Sequence, residues 1–351
     1  TLIKINKAGR KMRVAIVGCG GIGGVVAASI SSKEIEAYVV EASEEIAMKI
    51  NSTGISLSGK KGKINSSVRA VASFEEVGKC FDIIILTVKN NVIHQVFNNA
   101  KNFLCDEGFI LTLENGIEVL ELSNNNPLVK VAAGAVGYNS VMVEHGRYLV
   151  TSQGGITIGS LNKCTEEDLD EIKKLLEPLI KIKITDNIIG ALWGKLLIVC
   201  GVTGLGGVSG LLVGQLLKKS VARELFYKIV TEGALVTRAL GINIEGFAGS
   251  VNPIKFSELE DGLPAWVKNL LLRIVGLKYR RLKSNIHHSL ERGEKTEVEY
   301  LNGAVVKKGK EVSVPTPVNS LVVQMVREIE SGRRKMCLEN LYEISEKIKA
   351  Y

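Results

Sequence analysis

The chain has 351 residues, a formal net charge of +8 (45 Lys and Arg against 37 Asp and Glu), 36 glycines and only six prolines. Hydrophobic residues make up 46% and charged residues 23%, a balance that excludes a collagen-like, an intrinsically disordered or a disulfide-scaffold chain. The length favours two domains, each long enough to bury a core.

Residues 1–11 are polar and basic, lack an apolar leader core, and read as an N-terminal extension. Residues 14–17 form a short continuous apolar run, as in a buried parallel strand. Gly18-Cys19-Gly20-Gly21-Ile22-Gly23 follows at once and opens a helix over 21–31. G-x-G-x-x-G in that strand-to-helix context marks a dinucleotide-binding turn. Gly18 permits the tight turn, Gly20 lets the backbone approach a pyrophosphate, and Gly23 lets helix and strand pack closely. The helix start at Gly21 and Ile22 offers free N–H groups to the phosphates.

A second strand over 37–40 delivers Glu41, 18 residues after Gly23, near the place of an acidic residue that hydrogen-bonds a ribose 2′-hydroxyl. A carboxylate there repels a 2′-phosphate, and no arginine occurs between Arg13 and Arg69, so NAD(H) is the favoured cofactor. Glu41 could equally be a solvated strand-end carboxylate. A helix over 44–51, strands over 83–88 and 109–113 with a helix over 92–103 between them, and a strand over 129–133 complete the alternation. Two signals sit at strand ends, where doubly wound sheets place their ligands: Lys89, and Asn115 followed by Gly116. A strand-end lysine can also be a surface residue, and Asn-Gly can simply be a turn.

The pattern changes near Tyr138. Residues 148–151 and 155–158 read as a hairpin around Gly154-Gly155, followed by a helix over 166–176 and a last strand over 181–184. From 188 onward the periodic segments are helical, over 223–240, 264–275, 285–293, 298–307 and 318–331. The fold class is therefore α/β: a Rossmann-type doubly wound parallel sheet over 12–187 and an all-helical domain over 188–351. Substrate is expected between the two, where closure excludes water.

Residues 196–217 carry no charge over 22 positions, which is long enough to span a membrane. Six glycines, two hydroxyl residues and a lysine at each flank (Lys195, Lys218) make a buried helix with a Gly-rich break the better reading. Gly206, Gly210 and Gly214 stand in G-x-x-x-G spacing, which could also serve a dimer contact, so the chain is read as a monomer or homodimer. The six cysteines are widely spaced, without C-x-x-C or zinc spacing. They read as free thiols in a reducing, cytoplasmic setting, with no metal site. The basic clusters near 7–13, 278–283, 307–310 and 333–335 are scattered and lack interleaved aromatics, so they read as solvated faces, with neither nucleic acid nor membrane as partner.

The fingerprint, the strand-end Lys89 and the Asn115-Gly116 turn together resemble the ketopantoate reductase (2-dehydropantoate 2-reductase) family. The second half carries the resemblance further. Leu192-Trp193-Gly194-Lys195-Leu196 is similar to the family's W-x-K-L segment, and Gly293-Glu294-Lys295-Thr296-Glu297 with Leu301-Asn302-Gly303 to its G-r-x-T-E…N-G segment. Val314-Pro315-Thr316-Pro317-Val318-Asn319 is similar to its v-P-T-P-x-N turn. The resemblance implies NAD(P)H-dependent reduction of a small anionic 2-oxo acid to a 2-hydroxy acid, as in the ketopantoate to pantoate step of pantothenate and CoA biosynthesis. NADP(H) is thereby possible alongside NAD(H).

The resemblance also implies site roles. Lys195 matches the family's proton donor: an ammonium beside the reacting carbonyl stabilises the developing alkoxide and hands it a proton. Glu297 matches the glutamate that hydrogen-bonds the substrate hydroxyl, Asn115 the asparagine at nicotinamide and substrate, and Lys89 the lysine near the cofactor ribose. Four and eight residues after its lysine the family carries asparagines; here Val199 and Thr203 stand there. Asn285 takes the place of a carboxylate-binding serine, with Ser284 beside it, and Ser289 that of an aspartate. Arg281, His287 and His288 could supply polar contacts instead, although the two histidines read first as a core or surface pair. Altered contacts of this kind shift substrate choice. The alternatives are a related 2-oxo acid or imine (opine-type) reductase, and a non-catalytic dinucleotide-binding sensor.

Overall fold

The structure, a computed structural model, describes residues 9–30, 35–59, 62–78, 80–260 and 262–349. The chain divides into two compact units, Thr1–Ile188 with Phe247–Ser250, and Ile189–Gly246 with Val251–Tyr351.

The first unit is built on twelve strands: β1 (Arg13–Val17), β2 (Glu36–Val40), β3 (Ile55–Gly59), β4 (Ile64–Ser66), β5 (Arg69–Val71), β6 (Phe81–Leu86), β7 (Leu104–Thr112), β8 (Lys130–Val136), β9 (Asn139–Glu144), β10 (Arg147–Ser152), β11 (Ile156–Asn162) and β12 (Ile182–Ile184). Eight form one sheet in the order β12-β11-β8-β7-β6-β1-β2-β5. From β8 to β5 every neighbouring pair is parallel; β11 pairs antiparallel with β8, and β12 pairs parallel with β11, so these two run opposite to the rest. Its helices are α1 (Gly21–Ile30), α2 (Glu44–Thr53), α3 (Asn90–Ala100), α4 (Glu118–Asn125) and α5 (Glu166–Leu176). The central strands are apolar without alternation because both faces are covered: Val14 to Ile16 and Ile83 to Leu86 are wholly buried.

The remaining strands form a second sheet, β4-β3-β10-β9, which sequence patterning does not anticipate. It lies over α1. The Tyr148 hydroxyl donates to the Cys19 carbonyl at 2.6 Å and the Tyr138 hydroxyl to that of Ile22 at 3.2 Å. This explains why α1 is apolar all round: every residue from Gly23 to Ile30 is buried, with sheets on two sides. Ser31, the expected last residue of that helix, lies outside the described residues.

Two expectations for this unit are corrected. Residues 148–151 and 155–158 do not form a hairpin: β10 pairs with β9 and β3, while β11 joins the large sheet against β8 and β12. The intervening glycines carry the chain from one sheet to the other, Gly155 accepting the N–H of Gly137 at 2.9 Å. The cysteines are not all free thiols either. Cys80 and Cys105 are disulfide-bonded, their Cα atoms 5.0 Å apart before β6 and within β7; Cys19, Cys164, Cys200 and Cys337 are free. Strand pairing brings the two together across 25 residues, which spacing alone does not reveal. At the start of the described chain, Arg10 binds both oxygens of Asp82 at 3.0 Å; residues 1–8 of the expected extension lie outside the description.

The second unit is helical: α6 (Ile188–Val199), α7 (Leu205–Ser209), α8 (Val213–Leu216), α9 (Ser220–Ala239), α10 (Ala265–Lys278), α11 (Asn285–Glu291), α12 (Asn302–Glu311), α13 (Pro317–Glu330) and α14 (Glu339–Lys349). A π-helical turn, Cys200–Gly204, joins α6 to α7. The joined helix Ile188–Ser209 is long and apolar enough to cross a membrane, yet 78% of its most apolar window is buried inside the protein. The glycines in and just after it serve internal packing. Gly206 faces Ser284, Gly210 faces Met336, and Gly214 lies against the backbone of Arg280, so the G-x-x-x-G stripe packs within the unit. The helix expected over 298–307 is broken into a 3-10 turn, Val298–Tyr300, and α12, because Leu301 departs from helical geometry at φ −105° and ψ −98°.

Candidate active site

In the first unit, β2, β1 and β6 end in register, with Val17 opposite Val40 on one side and Leu86 on the other. The next residues, Glu41, Gly18 and Thr87, therefore emerge side by side at the carboxyl edge, where the chain winds away in both directions. Gly18 has φ +83°, a conformation that disfavours any side chain, and donates to the Val40 carbonyl at 3.0 Å. A Cβ on Gly23 would lie 2.0 Å from the Gly18 carbonyl oxygen, so a side chain there would push α1 off the turn. A Cβ on Gly20 would meet nothing within 4 Å: it faces open space.

That space is a cleft of about 350 Å³. Gly18, Gly20, Glu41 and Lys89 line it, together with Cys19, Thr87, Val88, Asn91, Val92, Met142 and His145. Of the other residues expected at a cofactor, Gly21, Ile22 and Gly23 form the first turn of α1. Asn115 is half-buried and is not among the walls; its carbonyl accepts the side-chain amide of Asn90 at the head of α3. His145 and Met142 escape sequence reasoning because they arrive from the β9–β10 hairpin, whose sequence carries no motif.

The Glu41 carboxylate accepts the N–H of Cys19. Burial raises its pKa, and the Cys19 N–H, the positive side of His145 and the Ala42 N–H oppose the rise. Nδ1 of His145 is buried with no hydrogen-bond partner among the described residues. The Cys19 thiol accepts from Tyr148 at 3.0 Å, and burial pushes its pKa up to about 12, so it is no nucleophile. The open face of Gly20, a carboxylate at the end of β2, a lysine at the mouth and a helix N-terminus behind them fit a dinucleotide.

In the second unit, Lys195 sits on α6 at 5% exposure, next to Trp193 at 1%. Gly194 between them lets residue Glu245 cross the helix: a Cβ would stand 2.2 Å from the Glu245 carbonyl oxygen. One turn on, Val199 is half-buried, and Thr203 (8% exposed) lies in the π turn. A π turn widens the helix by one residue and leaves carbonyls available, and such turns recur at functional sites. The Thr203 carbonyl accepts the Ser284 hydroxyl at 3.2 Å, and Ser284 in turn caps α11 through the N–H of His287. Thr203 is thereby set beside the start of α11, where Asn285 is exposed. His287 is buried and its ring meets Glu291 at 3.2 Å, a packing role. Glu297 is half-buried and heads the 3-10 turn Val298–Tyr300.

Asn302 and Asn319 form a buried chain that ends on the π turn. The Asn302 amide donates to Asn319 at 2.8 Å and lies 3.5 Å from the Cys200 carbonyl, and Asn319 binds Glu232. Glu232, on α9, is a residue the sequence does not single out.

Residues 14–163 match the family model described as ketopantoate reductase PanE/ApbA, and residues 187–330 its C-terminal counterpart. The 2-dehydropantoate 2-reductase of Pyrococcus horikoshii is 23% identical over 325 residues, covering 91% of this chain and 98% of its own. Among solved structures, a PanE/ApbA family ketopantoate reductase from Ralstonia eutropha superposes with a TM-score of 0.76 at 22% identity, over 92% of this chain and 100% of that one. A D-mandelate dehydrogenase with NADH and anilino(oxo)acetate superposes with a TM-score of 0.77 at 17% identity, over 92% and 99%.

Proposed function

The chain belongs to the ketopantoate reductase family of NAD(P)-dependent oxidoreductases acting on small 2-oxo acids, and from that premise we propose that it reduces a 2-oxo acid with Lys195 as proton donor and NADH as the preferred cofactor. The observation that carries this reading is the burial of Lys195 within an apolar helix. An amine costs solvation there and is retained where its charge or proton is used.

Gly18, Gly20 and the N-terminus of α1 would hold the pyrophosphate, Lys89 the neighbouring anionic groups, and Glu41 the ribose 2′-hydroxyl in place of the Cys19 N–H it now accepts. Among the described residues no arginine lines the cleft, which supports the preference against a 2′-phosphate. A nicotinamide held there would supply the hydride. Lys195 donates a hydrogen bond to the carbonyl oxygen, stabilises the negative charge that grows there, and passes its proton to it. Glu297 accepts a hydrogen bond from the resulting hydroxyl, and Asn115 helps hold nicotinamide and substrate.

Val199 lacks the donor and acceptor of the asparagine that the family resemblance implies there, and Thr203 offers only a hydroxyl. The preferred substrate is therefore a 2-oxo acid with a more apolar side chain than ketopantoate, its carboxylate met by Asn285 beside Thr203. Oxidation of NADH and NADPH, followed across 2-oxo acids with ketopantoate included, tests it. Fast NADH oxidation with an apolar 2-oxo acid supports the proposal. Faster NADPH oxidation overturns the role of Glu41, and a best rate on ketopantoate overturns the substrate assignment.

A further inference from the structure

Helix α10 is apolar on two opposite faces, and only one of them is packed. Leu272 and Gly276 are buried, Gly276 against Leu217, and Lys268 points inward, its ammonium 2.8 Å from the Ser257 carbonyl and over the Tyr227 ring. Asn269 is held by Arg223 at 2.5 Å. These polar and apolar anchors fix the inner face, so the helix cannot roll to bury the other. On that outer face Trp266, Leu270, Ile274 and Leu277 recur at helical spacing and are 71%, 51%, 52% and 65% exposed. A helix that is apolar on all sides normally has neighbours on all sides.

The charge within and after this stripe is of one sign, while Glu258, Glu260 and Asp261 precede it in the chain. Residues 264–283 hold six Lys and Arg and no Asp or Glu, against a net +8 for the whole chain. Arg273 lies within the stripe, and Lys278, Arg280 and Arg281 follow at its end; all four are exposed, and none has a carboxylate partner among the described residues. A row of large apolar side chains led by a tryptophan and flanked by unneutralised cations is the chemistry that inserts into an anionic bilayer surface.

We propose that α10 docks the protein onto a membrane surface rich in anionic phospholipid, lying in the interface plane with Trp266, Leu270, Ile274 and Leu277 among the acyl chains. A second copy would also cover the aliphatic row, and a doubled mass in solution is the outcome that would favour it over the membrane. Nucleic acid would satisfy the cations but leave the aliphatic row without a partner. The inference is independent of the assigned chemistry at Lys195.

The test is co-sedimentation of the full chain with phosphatidylcholine vesicles, with and without phosphatidylglycerol, while tryptophan emission is recorded. Trp193 is buried, so an emission change reports Trp266. The expected result is binding to the anionic vesicles only, weakened by added salt, with a blue shift. Leu270→Glu with Ile274→Glu, and separately Arg280→Glu with Arg281→Glu, should each weaken binding by about tenfold or more, while melting curves match the parent because all four sites are exposed. Equal binding to neutral vesicles, or none to either, overturns the proposal. So does a doubled mass in light scattering that both variants abolish, or retention on an oligonucleotide in place of vesicles.

Discussion

Glu232 holds the head of α13 through Asn319: its carboxylate accepts the Asn319 main-chain N–H at 3.0 Å and the side-chain amide at 2.6 Å, beside the Val318 N–H at 2.7 Å. Asn319 passes the contact to Asn302, which borders the π turn after Lys195. The network thus braces the helix that carries the proposed proton donor.

Burial pushes the Glu232 carboxyl from 4.5 up to about 7, the three N–H donors offsetting only part of the cost. The folded protein therefore holds this proton more tightly than the unfolded chain. The stability Glu232 contributes is full below about pH 4.5 and is lost as the pH rises through 7, by up to about 3 kcal/mol. Thermal midpoints measured across that range should fall with pH in the parent and flatten in Glu232→Gln. Identical slopes in the two proteins would contradict this.

Glu41 governs cofactor choice if it takes the ribose hydroxyl. Glu41→Ala should weaken NADH binding by about tenfold to a hundredfold, the value of a lost charge-assisted hydrogen bond, and leave NADPH less affected. Fluorescence titration of both cofactors reads the ratio. Equal losses for the two would show that the carboxylate does not discriminate between them.

In the proposed reading, Val199 and Thr203 set the substrate side. Restoring both asparagines, Val199→Asn with Thr203→Asn, should raise kcat/KM on ketopantoate relative to the best apolar 2-oxo acid by roughly tenfold or more, since polar contacts discriminate steeply. An unchanged ratio would place the specificity elsewhere.

The Cys80–Cys105 bond closes a loop of 25 residues. Cys80→Ser should cost about 3 kcal/mol by the chain-entropy account. Denaturant melts with and without reductant check it: the parent should lose stability on reduction and the variant should not respond. A parent indifferent to reductant would mean the bond contributes nothing.

Much of the fold is legible in the sequence where the signal is local. The strand over 14–17, the glycines after it and the strand-end Lys89 and Asn115 each announce themselves within a few residues, because a parallel strand buried on both faces is a continuous apolar run. The second sheet is not legible. Ser56 pairs with Arg147, β4 is three residues long, and β9 is almost wholly exposed, so neither length nor alternation marks them. The apparent hairpin around Gly154-Gly155 misleads because the same glycines that make a tight turn also let a chain slip between sheets. Of the proposed catalytic residues, Lys195 and Glu297 are visible through motif resemblance. His145 arrives through tertiary pairing, and Glu232 looks like any helix carboxylate until α13 is seen against it.

The central claim is that Lys195 gives the proton. Steady-state kcat of Lys195→Ala, measured with NADH and the best 2-oxo acid alongside the NADH dissociation constant, tests it most directly. The account predicts a fall in kcat of about a hundredfold to ten-thousandfold with NADH affinity unchanged. A variant that keeps kcat near that of the parent would contradict it.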